Sequence, residues 1–263
     1  MAPPSQPKPA IVVIPGSACP TPFYADLVAN LTAHGYEAQV HNLRTYTANP
    51  TAETVPGSLA DDAEYFHGKI AALADAGKDV VVVAHSYGGL VATDAVHGLS
   101  KAERGGKAGG VVRIIYLSCI VGAVGSTSAE TCAPSLPKFD FMEPVDESGA
   151  FMRQIPAQSA PLVYSDMPLA QGLEWVSQMW PQATRSFTDK IQHAGYLHSP
   201  VTYILCTKDE VLLPGFQRER IEFIEKETGK KVDVVELEVG HCPNVSAPDL
   251  TASTVVDAIV RDA

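Results

Sequence analysis

Residues 84–88 read Ala84-His85-Ser86-Tyr87-Gly88 and follow the apolar run Val80-Val81-Val82-Val83. A serine flanked by small residues two positions before and two after, where a strand passes into a helix, can be lifted clear of its own backbone. The motif is written G-x-S-x-G, and Ala84 stands here where the first glycine is usual. Alanine is the next smallest side chain, so the sharp turn stays open, and the following helix puts its positive end behind Ser86. Without partners the same residues make a plain strand-to-helix turn with a capping serine. The partners decide, because the hydroxyl needs a base to take its proton and the base needs a group to fix its tautomer.

Where this turn carries a nucleophile, the partners follow in the order serine, acid, histidine. The last apolar run, 232–237, is followed by Gly240-His241-Cys242-Pro243, which places His241 beyond a strand end and before a closing helix. His34, His41, His67 and His97 fall on or beside surface elements, and His193 and His198 precede a strand at its wrong end. His85 adjoins the serine and is expected to point into the sheet. The acid is expected just after the run Val201–Cys206, where Asp209 is preferred and Glu210 is the rival; a lone turn or cap role is the plainer reading of Asp209. The alternative position after 111–117 reads Ser118-Cys119-Ile120 and offers no carboxylate. For a developing oxyanion, the expected donors are the amides of Tyr87 and of Ser17, since Gly16 lets the loop Pro15-Gly16-Ser17-Ala18 approach closely.

The elements that must hold these residues alternate apolar runs with amphipathic stretches, the pattern of a parallel sheet covered by helices. Strands are expected over 11–14, 37–41, 79–84, 111–117, 201–206 and 232–237. Helices are expected from 21 or 22 to near 35, and over 58–74, 88–97, 214–227 and 248–261. The run at 79–84 is so purely apolar that it requires burial on both faces. An α/β core of about six parallel strands follows, formed by 11–121 and 200–263.

Residues 122–199 break the alternation and read as a helical cap inserted over one end of the sheet. Met142, Met152, Met167, Met179, Trp175 and Trp180 all lie in it. Such residues either make a mini-core or line an adaptable apolar chamber, so Met142, Met152, Trp175, Met179 and Trp180, with Gly16, are candidate substrate contacts.

The net charge of −11 argues against nucleic-acid and anionic-membrane partners, which need a basic face. No stretch approaches the roughly 20 apolar residues of a membrane span, and proline-rich residues 1–10 read as a flexible leader. Five scattered cysteines without a CxxC pair read as free thiols of a cytoplasmic protein, with Cys119–Cys132 as the one pairing held open. No HExxH, paired CxxC or phosphate loop occurs, so neither metal nor cofactor is expected. The expected partner is a small-molecule substrate, and a homodimer stays open.

With these residues in place, the chain resembles the α/β-hydrolase superfamily over nearly its whole length from Ile11. Within it, the chain is similar to the small branch of plant methylesterases, hydroxynitrile lyases and microbial or fungal esterase-like proteins. The segments that carry the resemblance are IPGSACPTPFY, AHSYGG, YSDMP, EWVSQMWPQ, CTKDEVLLPGFQ and EVGHCPN. The resemblance implies Asp209 as the acid. It implies less about the reaction, since this branch hosts hydrolysis, C–C and C–CN cleavage and ligand sensing. Two departures bear on that. The first loop lacks the histidine or bulky residues of many members, and EVGHCPN lacks the lysine that lyase members carry beside the histidine. Hydrolysis of an ester or lactone of a medium-sized, partly apolar molecule is the leading expectation. Lyase, retro-aldol or cyclisation chemistry on a secondary metabolite, and a small-molecule receptor that keeps the triad, are the alternatives. Turnover with a trapped acyl-enzyme separates the first from both.

Overall fold

The computed structural model describes residues 7–137 and 140–261. Residues 1–6 of the expected leader lie outside the described residues. Its remainder is tied down: Lys8 Nζ donates to the His34 carbonyl (2.5 Å), and Ala10 already belongs to the first strand.

Along the chain, β1 (Ala10–Ile14) leads into a short 3₁₀ turn at Thr21–Tyr24 and then α1 (Ala25–Ala33). The single helix expected from 21 is thus divided, because Pro22 lacks a backbone donor and the turn closes through Phe23 N–H to Pro20 O (3.0 Å). The edge strand β2 (Ala38–Val40) and α2 (Leu59–Asp75) follow; α2 is opened by a capping box between Ser58 and Asp61. Next come β3 (Asp79–Ser86), α3 (Gly88–Ala95) and β4 (Gly110–Cys119). The segment after β4 holds α4 (Ser128–Cys132), β5 (Met142–Pro144), β6 (Phe151–Gln154), α5 (Pro156–Val163), α6 (Leu169–Ser177) and β7 (Gln182–Ala183). The core resumes with β8 (Val201–Cys206), α7 (Pro214–Thr228), β9 (Asp233–Leu237), α8 (Pro243–Ser246) and α9 (Pro248–Val260).

The main sheet has six parallel strands in the order β2-β1-β3-β4-β8-β9. The purity of β3 has the anticipated cause. Val80, Val82 and Ala84 face the core beneath α2 and α3, whereas Val81 and Val83 face the core beneath α1 and α9. Strand order reverses between β1 and β3, and such a switch point opens a crevice at the C-terminal strand ends. Ile14 pairs with Ala84 there, so the loop after β1 lies beside Ser86.

The insertion between the neighbouring strands β4 and β8 is not purely helical as expected. It contains an antiparallel three-stranded sheet, β5-β6-β7, of strands two to four residues long. Strands this short show no usable period in sequence.

Candidate active site

Ser86 closes β3 with φ +54°, in the left-handed region that an L side chain avoids. The turn is possible because nothing larger than glycine fits at Gly88, where a Cβ would meet Pro15 O at 2.5 Å and Ile14 O at 2.7 Å. Gly16 is confined from the other side, with a Cβ at 2.9 Å from His85 Nδ1. Among the described residues three non-glycines have positive φ: Ser86, Ala18 in the loop after β1, and Ser118 at the end of β4. All three stand around one crevice, and strain of this kind persists only where surrounding contacts over-determine it.

Ser86 Oγ lies 2.9 Å from His241 Nε2, and His241 Nδ1 lies 2.7 Å from Asp209 Oδ2. Asp209 can only accept, so His241 carries its proton on Nδ1 and leaves Nε2 free to accept from the serine. The carboxylate is wholly buried and fully engaged. Its Oδ1 accepts from the amides of Val211 and Leu212 (2.8 Å each), and its Oδ2 also accepts from the Ser118 hydroxyl. The rival Glu210 is exposed.

His85 does more than fill the sheet. Its Nε2 lies 2.8 Å from the His241 carbonyl, which can only accept, so the proton sits on Nε2 and Nδ1 must accept from Tyr24 O–H (2.8 Å). Tyr24 Oη accepts in turn from Gly16 N–H (2.7 Å). One buried chain of bonds therefore ties the loop after β1 to the loop bearing His241. Burial, reinforced by the neighbouring His241, pushes the His85 pKa down to about 3, so the ring stays neutral.

Ser17 and Tyr87 both line the cavity over Ser86, and among the described residues neither backbone amide donates a hydrogen bond. The Ser17 hydroxyl is buried without a partner. The cavity has a volume of about 330 Å³. Its walls include Leu136, Met142, Val163, Met179, Phe187 and Leu212, so of the candidate substrate contacts Gly16, Met142 and Met179 line it. Met152, Trp175 and Trp180 do not. Met152 is paired with Pro144 in the small sheet, Trp175 packs edge-on against Phe23 (5.0 Å), and Trp180 against Tyr46 (5.9 Å). The two tryptophans thus dock the insertion on core loops, and Met152 belongs to the insertion's own small sheet.

Polar residues of the insertion reach the loops beneath it, two of them beside the site. Asp166 Oδ2 accepts from Gly240 N–H (2.7 Å), next to His241, and from Ser246 Oγ (2.8 Å). Gln182 Oε1 accepts from Ala18 N–H (3.2 Å). Neither was singled out from sequence, nor were Tyr24 and Ser118, since each lies far along the chain from the group it holds. All five cysteines are free, including Cys119 and Cys132.

The alpha/beta hydrolase family model matches residues 11–254. The chain belongs to that family. A "Probable hydrolase R7" of Phoma sp. is 32% identical over 250 residues, 95% of this chain and 98% of that protein. Among solved structures, the pyrethroid hydrolase PytH superposes with a TM-score of 0.73 at 21% identity, covering 97% of this chain and 99% of that one. The methylesterase MES16 from Arabidopsis gives a TM-score of 0.70 at 19% identity, covering 96% and 99%. Likeness at that identity is a likeness of fold. No described helix is long and apolar enough to cross a membrane.

Proposed function

We propose that the chain hydrolyses a carboxylic ester or lactone of a medium-sized, partly apolar molecule through an acyl-enzyme on Ser86. The observation that carries this reading is the unbroken line Asp209–His241–Ser86, at 2.7 and 2.9 Å, at the base of an apolar chamber. Ser86 Oγ attacks the acyl carbon while His241 Nε2 takes its proton, and the carbonyl oxygen becomes an oxyanion facing the Ser17 and Tyr87 amides. Collapse breaks the acyl–oxygen bond, and His241 returns the proton to the leaving alkoxide. Water then gives a proton to His241 and attacks the acyl-enzyme, releasing the acid and restoring Ser86. Asp209 holds the tautomer throughout. The esterase and hydrolase names among the relatives agree with this reading, and the insertion serves as the cap that walls the substrate.

Lyase chemistry of the cyanohydrin type is disfavoured by the residue after the base. Cys242 stands there, and burial pushes its thiol well above the usual range, so it offers no cation in lysine's place. A fluorophosphonate should label Ser86, mapped by peptide mass spectrometry, and Ser86→Ala should lower turnover of an aryl-ester and lactone panel by ~10⁴-fold or more. Unchanged turnover in Ser86→Ala would refute the reading.

A further inference from the structure

Ala18 is held against its own preference. Its φ of +62° suits glycine, yet the residue carries a Cβ and directly follows Ser17, whose amide is one of the two proposed oxyanion donors. Both of its backbone polar groups bond to the insertion: N–H donates to Gln182 Oε1 (3.2 Å), and the carbonyl accepts from Trp180 N–H (2.9 Å).

The Gln182 side chain is buried and its orientation is fixed by what surrounds it. Nε2 donates to Thr45 Oγ1 (2.7 Å) and to Ser186 Oγ (3.0 Å). Thr45 spends its own proton on Asp62 Oδ2 (2.7 Å) and Ser186 spends its proton on the Ala183 carbonyl (2.7 Å). Both hydroxyl oxygens can therefore only accept from Gln182, which leaves Oε1 for Ala18. Asp62, equally buried, also accepts from the Arg44 and Thr45 amides and from Tyr87 O–H (3.3 Å). Tyr87 supplies the other proposed oxyanion donor. A single buried network thus runs from Ala18 through Gln182, Thr45 and Asp62 to Tyr87, behind both donors.

We infer that Gln182 is a positioning residue that sets the oxyanion loop, so that the insertion helps build the reaction centre as well as roofing the substrate. The inference rests on the hydrolase reading above. A loop whose left-handed residue loses its N–H partner can relax toward negative φ, which turns the Ser17 amide away from the developing charge. Substrate binding in the apolar chamber does not use that amide in the same degree, so the loss falls on the transition state.

The test compares wild type with Gln182→Met, which keeps the length and loses the side-chain amide's hydrogen bonds to Ala18, Thr45 and Ser186. The full chain is assayed with an aryl ester, with an aryl trifluoromethyl ketone that forms an oxyanionic adduct on serine, and with the matching secondary alcohol. The expected result is a kcat ~10- to 100-fold lower with KM within about 3-fold, part of what deleting one donor outright costs. Ketone affinity should fall in step with kcat, and alcohol affinity should hold. A purely structural role would weaken ketone and alcohol together. Thr45 supplies a second route: Thr45→Ser should stay near wild type, and Thr45→Val should repeat part of the loss, even if Gln182→Met does not fold. Unchanged kcat and ketone affinity in Gln182→Met, or equal loss for ketone and alcohol, overturns the role of Gln182 while leaving the hydrolase reading intact. If Gln182→Met does not fold, equal behaviour of the two Thr45 variants overturns it. A wild type that neither turns over esters nor prefers the ketone overturns both.

Discussion

Ser86, Asp209 and His241 stand at the ends of core strands, whereas half of the residues around the chamber come from the insertion, whose elements are none longer than nine residues. In the first region the three side chains are buried and bonded to one another in sequence, with Asp209 also held by the Val211 and Leu212 amides. In the second the walls are mostly thioethers, small aliphatics and aromatics, which can shift without leaving a polar group unpaired, with Gln154 the polar exception. The difference separates chemistry, which tolerates little displacement, from recognition, which tolerates much. Asp166 and Gln182 complicate the division, because each belongs to the insertion and bonds to a loop of the core.

The strongest way to break that comparison is to alter the core side alone. Asp209→Asn should lower kcat by ~10³- to 10⁴-fold while KM changes little, because the amide can donate to His241 Nδ1 and so favours the wrong tautomer. Steady-state kinetics on the ester panel checks it. A loss smaller than that of a chamber mutant would remove the distinction.

A milder core change probes the bridge behind His241. Tyr24→Phe leaves the Gly16 N–H without its acceptor and His85 Nδ1 without its donor, in a site with no exposure. Unfolding in urea should show a loss of ~1–3 kcal/mol, the cost of unpaired buried groups. We expect kcat to drop by about 10-fold, since both loops that flank Ser86 lose one tether. Loss of stability with full kcat would mean that the bridge serves folding only.

The core was legible because its signals are local. An apolar run such as Val80–Val83, a serine between small residues, and a histidine in a glycine loop after the last strand each occupy one short window. All six strands of the sheet were marked in this way. The insertion was less so. The strands β5, β6 and β7 are too short for alternation to register, and a tryptophan on a chamber wall has the same sequence as one docking a helix on Phe23. The bonds made by Gln182, Asp166 and Tyr24 span 8 to 164 positions, and nothing in a single sequence pairs such residues.

On the insertion side, Met179→Ala and Met142→Ala should act on selectivity more than on rate. Each removes a half-buried wall of the chamber, so kcat on a short-chain aryl ester should stay within about 3-fold. The ratio of kcat/KM between long and short acyl chains should rise by ~10-fold, the scale set by one or two methylenes in an apolar pocket. Competition assays between paired substrates measure that ratio directly. A uniform fall in kcat for all chain lengths would place these methionines with the chemistry instead.

The smallest effect compares one proton on each side of the site. His85, behind the triad, has its pKa held down to about 3 by burial, and Asp62, behind the oxyanion loop, has its pKa raised by burial to about 7. The signs oppose. Between about pH 4 and 6.5 the unfolded chain binds a proton at His85 that the folded chain refuses, so this term makes stability rise with pH. Over the same range the folded chain keeps a proton on Asp62 that the unfolded chain releases, so this term is full below the unfolded pKa and fades as pH climbs toward 7. Each slope is at most about 1.4 kcal/mol per pH unit, and together they nearly cancel. Asp62→Asn keeps an acceptor for the Arg44 and Thr45 amides and removes only the second term. Relative to wild type, its stability should therefore improve with pH by about 1 kcal/mol per unit between pH 4.5 and 6.5, read from urea melts at three pH values. Parallel pH profiles for the two proteins would show that Asp62 folds already ionised, its four donors outweighing its burial.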